Sequence, residues 1–227
     1  MNRPNPDPGG QFGLSGPSRS IPPVTIIPHF LDAALCRRVQ IAMDRGEMEP
    51  AEILEDGPEL DREARRASII DVDPATLAAV EARVEAARDG LSARCGVPLG
   101  GREGAGFVRY SHGGFYRPHR DQAHDADWPG AAERRIAVVV FLNSSRTVPP
   151  SLASGELWRG RAAADGDEFS GGELVIYPES PYDDTSIRIT PRQGSLVAFD
   201  AALLHEVRPV AGGARDVIVD WFYGPEA

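Results

Sequence analysis

The chain has 227 residues, 34 acidic against 24 basic, for a formal charge of −10 and a pI near 5.0. That balance argues against nucleic acid and anionic membrane as partners, because both need clustered Lys and Arg. Apolar residues make up 41% of the chain, enough for a sizeable core in one large domain or two small ones.

Residues 1–23 are dense in Pro, Gly, Ser and Asn, which predicts a flexible segment. They lack the apolar run of a signal peptide, and no stretch is long and apolar enough to span a membrane. The two cysteines, Cys36 and Cys95, form no Cys-x-x-Cys pair, so a structural zinc site is not expected. Reduced thiols suit a cytoplasmic protein.

VTII (24–27) predicts a first strand. A helix follows, with Asp32 as its cap, Leu35, Val39, Ala42 and Met43 on one face, and Gly46 as its stop. SIIDV (68–72) reads as a short strand. Asp73 and Pro74 then open a second helix, with Leu77, Val80, Val84, Ala87 and Leu91 as its apolar stripe and Gly96 as its end. From residue 105 the period changes to strands: FVRY (107–110), RRIAVVVFLN (134–143), GELVIY (172–177), SIRIT (186–190), GSLVAF (194–199) and RDVIVDWFY (215–223). No helix is expected among them. Helices followed by many short strands indicate an α+β fold around a sandwich or barrel. One domain over 24–227 is expected, with helical support in 24–104 and the β core in 105–224. Two long connections, 122–133 with Trp128 and 144–170 with Trp158, have the composition of a lid or of a surface insertion.

Five histidines are present: His29, His112, His119, His124 and His205. His119 and Asp121, in FVRYSHGGFYRPHRD, would by themselves be two polar residues in a turn. His205, just past the GSLVAF strand, adds a third donor. Two imidazoles and a carboxylate on one side of a metal leave positions open for a chelating cosubstrate and dioxygen, as in non-haem Fe(II) oxygenases. Arg215 lies ten residues after His205, across a Gly-Gly turn, where its planar fork could hold a carboxylate. His112 and His124 read as loop residues, Arg208 as an exposed one, Tyr116 as core, and Gly171 and Gly172 as turn glycines.

The order Tyr110-x5-Tyr116-x2-His119-x-Asp121, FLN, GGELVIYP, His205-Glu206-Val207-x-Pro209, Arg215 and Trp221 resembles the prolyl 4-hydroxylase branch of the 2-oxoglutarate/Fe(II)-dependent dioxygenases, including the oxygen-sensing prolyl hydroxylases and their bacterial relatives. The resemblance covers roughly 105–224. It implies a double-stranded β-helix (jelly-roll) core with flanking N-terminal helices. It implies His119, Asp121 and His205 as iron ligands, Arg215 and Tyr110 as 2-oxoglutarate contacts, and Trp221 as a pocket wall. It implies Fe(II), 2-oxoglutarate and O2, with ascorbate as a candidate reductant. An Asp at 121 favours hydroxylation over halide chemistry. Segment 144–170 is longer than the usual connection, and Val219 stands where some relatives carry a hydroxyl. The implied substrate is a prolyl residue in a protein or peptide, with a free amino acid or small natural product as the alternative. Two further rivals are a catalytically silent cupin-like metal-binding module and a metal hydrolase or isomerase using Glu206 as base.

Overall fold

A computed structural model describes residues 23–51, 64–122, 129–146, 168–178 and 185–225. Residues 1–22 of the expected flexible segment, half of 122–133, most of 144–170, and with them His124, Trp128 and Trp158, lie outside the described residues.

The helical half begins with β1 (Val24–Ile27), α1 (Ala33–Met43), β2 (Met48–Pro50), β3 (Arg65–Arg66) and β4 (Ser68–Ile70). Two helices follow, α2 (Pro74–Glu85) and α3 (Arg88–Cys95). The β half runs β5 (Gly106–Tyr110), β6 (Phe115–His119), α4 (Pro129–Glu133), β7 (Arg134–Phe141), β8 (Ser144–Ser145) and β9 (Glu168–Gly171). It continues with β10 (Leu174–Tyr177), β11 (Ile187–Ile189), β12 (Leu196–Asp200), β13 (Leu204–Val207), β14 (Val210–Gly212) and β15 (Arg215–Tyr223).

The caps are as expected: Asp32 accepts from the Leu35 amide at 2.7 Å, and Asp73 from the Thr76 amide at 2.9 Å. Three expectations need correction. Helix α1 stops at Met43 rather than at Gly46. The second helix is two: the Ala87 amide reaches back three residues to the Val84 carbonyl at 3.0 Å, tightening one turn before α3 resumes. The apolar stripe survives that break, because Val80, Val84 and Leu91 all reach the same core. Finally, a short helix, α4, does stand among the strands; its five residues are too few to show a helical period.

The strands build two packed antiparallel sheets, one in the order β1-β12-β7-β15-β5-β4-β2 and one in the order β11-β10-β13-β6-β3, with β14-β9-β8 at the side. This is the jelly-roll core. Strand β7 shows why IAVVVF is apolar without alternation. Ile136, Val138 and Val140 face the helices, while Ala137, Val139 and Phe141 face the interior between the sheets. A strand covered on both sides cannot carry polar residues on either. Each buried side chain contributes about 1.5–3 kcal/mol, so Val140→Asp would break this layer. The period of two also sorts β15: Arg215 pairs with Tyr110, while Asp216 pairs with Arg109. One pair points inward and the next outward.

Candidate metal centre and anion pocket

His119 ends β6 and His205 sits in β13, directly opposite it across the ladder. Between His205 and Val207 the register shifts, so Glu206 faces both Arg117 and Pro118. Proline has no N–H to give the ladder, and a bulge absorbs it. The extra residue puts Tyr116 and His119 on one face, three positions apart, with stacked rings 3.4 Å between centroids. The His119 and His205 rings lie 4.1 Å apart, and Phe199 of β12 meets His205 edge-on at 4.8 Å.

Asp121 closes the group. One carboxylate oxygen lies 3.5 Å from His119 Nε2 and the other 3.5 Å from His205 Nε2. Ligand atoms of all three residues fall within 4.8 Å of one another, the span of one ion. The tautomers suit a metal. His119 Nδ1 donates to the Arg117 carbonyl at 2.8 Å, and His205 Nδ1 donates to the Leu203 carbonyl at 2.9 Å. A carbonyl only accepts, so each Nδ1 carries the hydrogen and each Nε2 offers a lone pair. Burial pushes the His205 imidazolium down to about 4, against the pull of Asp121. Burial pushes the Asp121 carboxyl up, but the two imidazoles outweigh it and hold it below the usual carboxylate range. With each Nδ1 turned to a backbone carbonyl, the donor set is two imidazole Nε2 atoms and one carboxylate, which fits Fe(II).

Arg215 is the second feature. It is 1% exposed, yet its Nε and Nη1 have no hydrogen-bond partner among the described residues. Its guanidinium carbon lies 5.0 Å from the Tyr110 ring and 5.3 Å from the Phe141 ring. Burial lowers its pKa to about 10, so it stays charged at neutral pH. A buried, charged and unsatisfied fork is costly unless an anion completes it. The arrangement could hold a carboxylate.

Several supporting residues escape the sequence reading. Asn143 is buried and donates to the Ala214 carbonyl at 2.8 Å, while accepting from the Asp216 amide at 3.1 Å. It thus grips the backbone on both sides of Arg215. Gly172, at φ +65, leaves room for the Arg215 stem. Arg134 donates to the Asp121 carbonyl at 3.2 Å, is forked by Glu103 at 2.6 and 2.5 Å, and lies 3.9 Å over the Trp221 ring. Trp221 packs at the edge of the interior with its indole N–H buried. Only the polarity of FLN and RR hints at Asn143 and Arg134.

Other candidates lie elsewhere. Glu206 alternates away from His205 and accepts from the Tyr177 hydroxyl at 2.6 Å and from Arg208 Nε at 3.3 Å. That removes the base a metal hydrolase would need, and it accounts for Arg208, which is partly covered by this pair. His112 is exposed in the turn after β5.

The family model for the 2OG-Fe(II) oxygenase superfamily matches residues 105–223, more than half of the chain. A PKHD-type hydroxylase of Stenotrophomonas maltophilia is 30% identical over 116 residues, covering 51% of this chain and 40% of that protein. One from Crocosphaera subtropica is 39% identical over 57 residues, 25% of this chain and 24% of that protein. The chain thus spans well under half the length of these curated relatives. Among solved structures, a Pseudomonas putida prolyl-4-hydroxylase superposes with a TM-score of 0.62 at 24% identity, covering 90% of this chain and 94% of that one. A Trichoplax adhaerens prolyl hydroxylase, solved with a hypoxia inducible factor oxygen degradation domain peptide fragment, gives 0.63 at 20% identity, covering 88% and 83%.

Proposed function

The chain belongs to the 2OG-Fe(II) oxygenase superfamily, and on that premise we propose an Fe(II)- and 2-oxoglutarate-dependent hydroxylase acting on a prolyl residue in a protein or peptide. The observation that carries the reading is Arg215: a buried cation with free donors against Tyr110 and Phe141, in the same core cluster as Phe199, which meets His205 of the two-histidine, one-carboxylate group. A structural metal module needs the second feature but has no use for the first.

In this reading residues 24–227 form one catalytic domain. His119 and His205 would present their Nε2 atoms to the ion, and Asp121 would offset its charge. Arg215 would hold the far carboxylate of 2-oxoglutarate, with Tyr110 beside it, leaving the keto-acid end free to chelate an ion held by the three ligands. The apolar walls, Phe141 and Val217 among them, exclude water from that site. Fe(II), when bound, would supply the oxidative chemistry that converts 2-oxoglutarate, dioxygen and a substrate C–H bond into succinate, CO2 and the hydroxylated substrate. The prolyl substrate is supported by the fold shared with prolyl hydroxylases and by the hydroxylase names of the sequence relatives.

The test is succinate release with Fe(II), with and without ascorbate, over a panel of prolyl peptides, free amino acids and small natural products. Wild type should turn over with peptides, and His119→Ala, Asp121→Ala and His205→Ala should each lose metal and turnover while staying folded. Turnover stimulated by free amino acids alone would replace the peptide substrate. No 2-oxoglutarate consumption under any condition would remove the enzyme reading.

A further inference from the structure

The mouth of the site holds a cation that this reaction leaves unused. Arg65, on the edge strand β3, stands directly across from Tyr116. Its guanidinium carbon lies 4.7 Å from the Tyr116 ring centroid, and that ring is stacked on His119 at 3.4 Å. Arg65 Nε is buried without a partner, and no nitrogen of this side chain has a hydrogen bond or ion pair among the described residues. Arg102, Arg109 and Arg134 each pair with a carboxylate, whereas Arg65, like Arg215, has a buried donor without one among the described residues.

Three acids among the described residues are already committed. Asp121 faces the two histidines, Glu103 grips Arg134, and Glu206 is held by Tyr177 and Arg208. Arg120, next to His119, adds a second positive charge: it is exposed and bonds the Ala202 carbonyl, with no carboxylate among the described residues. Among the described residues, Arg65 and Arg120 thus bring two arginines without a carboxylate partner to the side of His119. Arg65 is also pre-placed, because its stack on Tyr116 restricts a side chain that would otherwise lose much rotamer freedom on binding.

We infer that the prime substrate carries a carboxylate held by Arg65, so that an acidic residue flanks the hydroxylated prolyl residue. This rests on the hydroxylase reading above. Contacts of 4.7 and 3.4 Å link the guanidinium to the His119 ring. An extended peptide advances about 3.3–3.6 Å per residue, which places the acidic group within about three residues of the reacting one. The same chemistry could come from a free α-carboxylate, and the substrate panel separates the two sources.

The experiment measures binding of fluorescent prolyl peptides to Mn(II)- and 2-oxoglutarate-loaded protein. Asp or Glu is placed one to three residues to either side of the proline, with matched Lys and Gln peptides. Free proline and prolinamide compete against them. The acidic peptide should bind about tenfold tighter than the Lys peptide, as expected for one charge-assisted contact, and Arg65→Glu should invert that ratio. The ratio is taken within one preparation, so a partly misfolded variant does not distort it. Competition by proline but not prolinamide, with no effect of peptide acidity, assigns the carboxylate to a free amino acid. No charge preference in any of these ligands, or an unchanged ratio in Arg65→Glu, overturns the inference. Succinate release is measured separately, so failure of the hydroxylase reading shows there and not in the binding ratio.

Discussion

Gly172 and the stem of Arg215 share one contact: a Cβ placed on Gly172 would lie 3.1 Å from Arg215 Cδ and 3.0 Å from the Phe169 ring. Gly172 also sits at φ +65, where an alanine is strained. Gly172→Ala should therefore cost about 1–3 kcal/mol of stability. It should also displace the guanidinium and weaken 2-oxoglutarate binding while Mn(II) affinity holds. Thermal melts and paired titrations check this. Unchanged 2-oxoglutarate affinity would mean that Gly172 does not set the Arg215 stem.

Replacing Arg215 with Met should move stability and binding in opposite directions. The wild-type side chain buries a charge whose donors lack partners, and Met keeps most of the stem without the charge. The ligand-free protein should melt higher, by on the order of 1 kcal/mol or more in stability. Binding of 2-oxoglutarate should weaken by about 2–5 kcal/mol, and its stabilising effect on the melt should vanish. A lower ligand-free melt would show that the fold itself satisfies this guanidinium.

His119, Asp121, His205 and Arg215 are legible in the chain because each needs a particular residue type in a particular order, and strand alternation aims them. The long apolar run of β7 and the caps Asp32 and Asp73 are legible for similar local reasons. The rest is non-local. The bulge at Arg117–Pro118 depends on the register of β13, some 88 positions on. Asn143 acts on Asp216 across 73 residues, and Arg134 on Asp121 through a loop. Strands of two to four residues, such as β3, β8, β9 and β14, are too short to show a period of two.

Cys36 predicts a specific alkaline weakness. Burial, with Asp32 adding to it, pushes its thiol from 9.0 up to about 12. The folded state thus disfavours the thiolate, while the unfolded chain ionises near the ordinary value. The contribution of this thiol is complete below about pH 8 and fades as pH rises from 9 toward 12, by up to about 4 kcal/mol at the extreme. Cys36→Ala should be less stable at pH 7, through the cavity it leaves, yet lose stability less steeply above pH 9. Denaturant midpoints across pH check the slopes, and equal alkaline slopes would clear Cys36. Thiol reagents at pH 8 should label Cys36 only at the rate of opening.

Arg134 reaches the metal group indirectly. It touches the backbone carbonyl of Asp121, not its carboxylate, and Glu103 with the Trp221 ring hold it there. Its role is to fix the chain that carries the ligand. Arg134→Gln should weaken Mn(II) binding about 10–100-fold, the usual effect of a residue that orients a ligand, and lower kcat. The KM for 2-oxoglutarate should hold, because Arg215 lies on another strand. Glu103→Gln should act in the same direction, and the double variant should lose less than the sum of the two, since both act through one contact. A general packing defect would instead depress the melt, the metal affinity and the 2-oxoglutarate KM together. Full Mn(II) affinity in Arg134→Gln would show that Asp121 holds its place without this support.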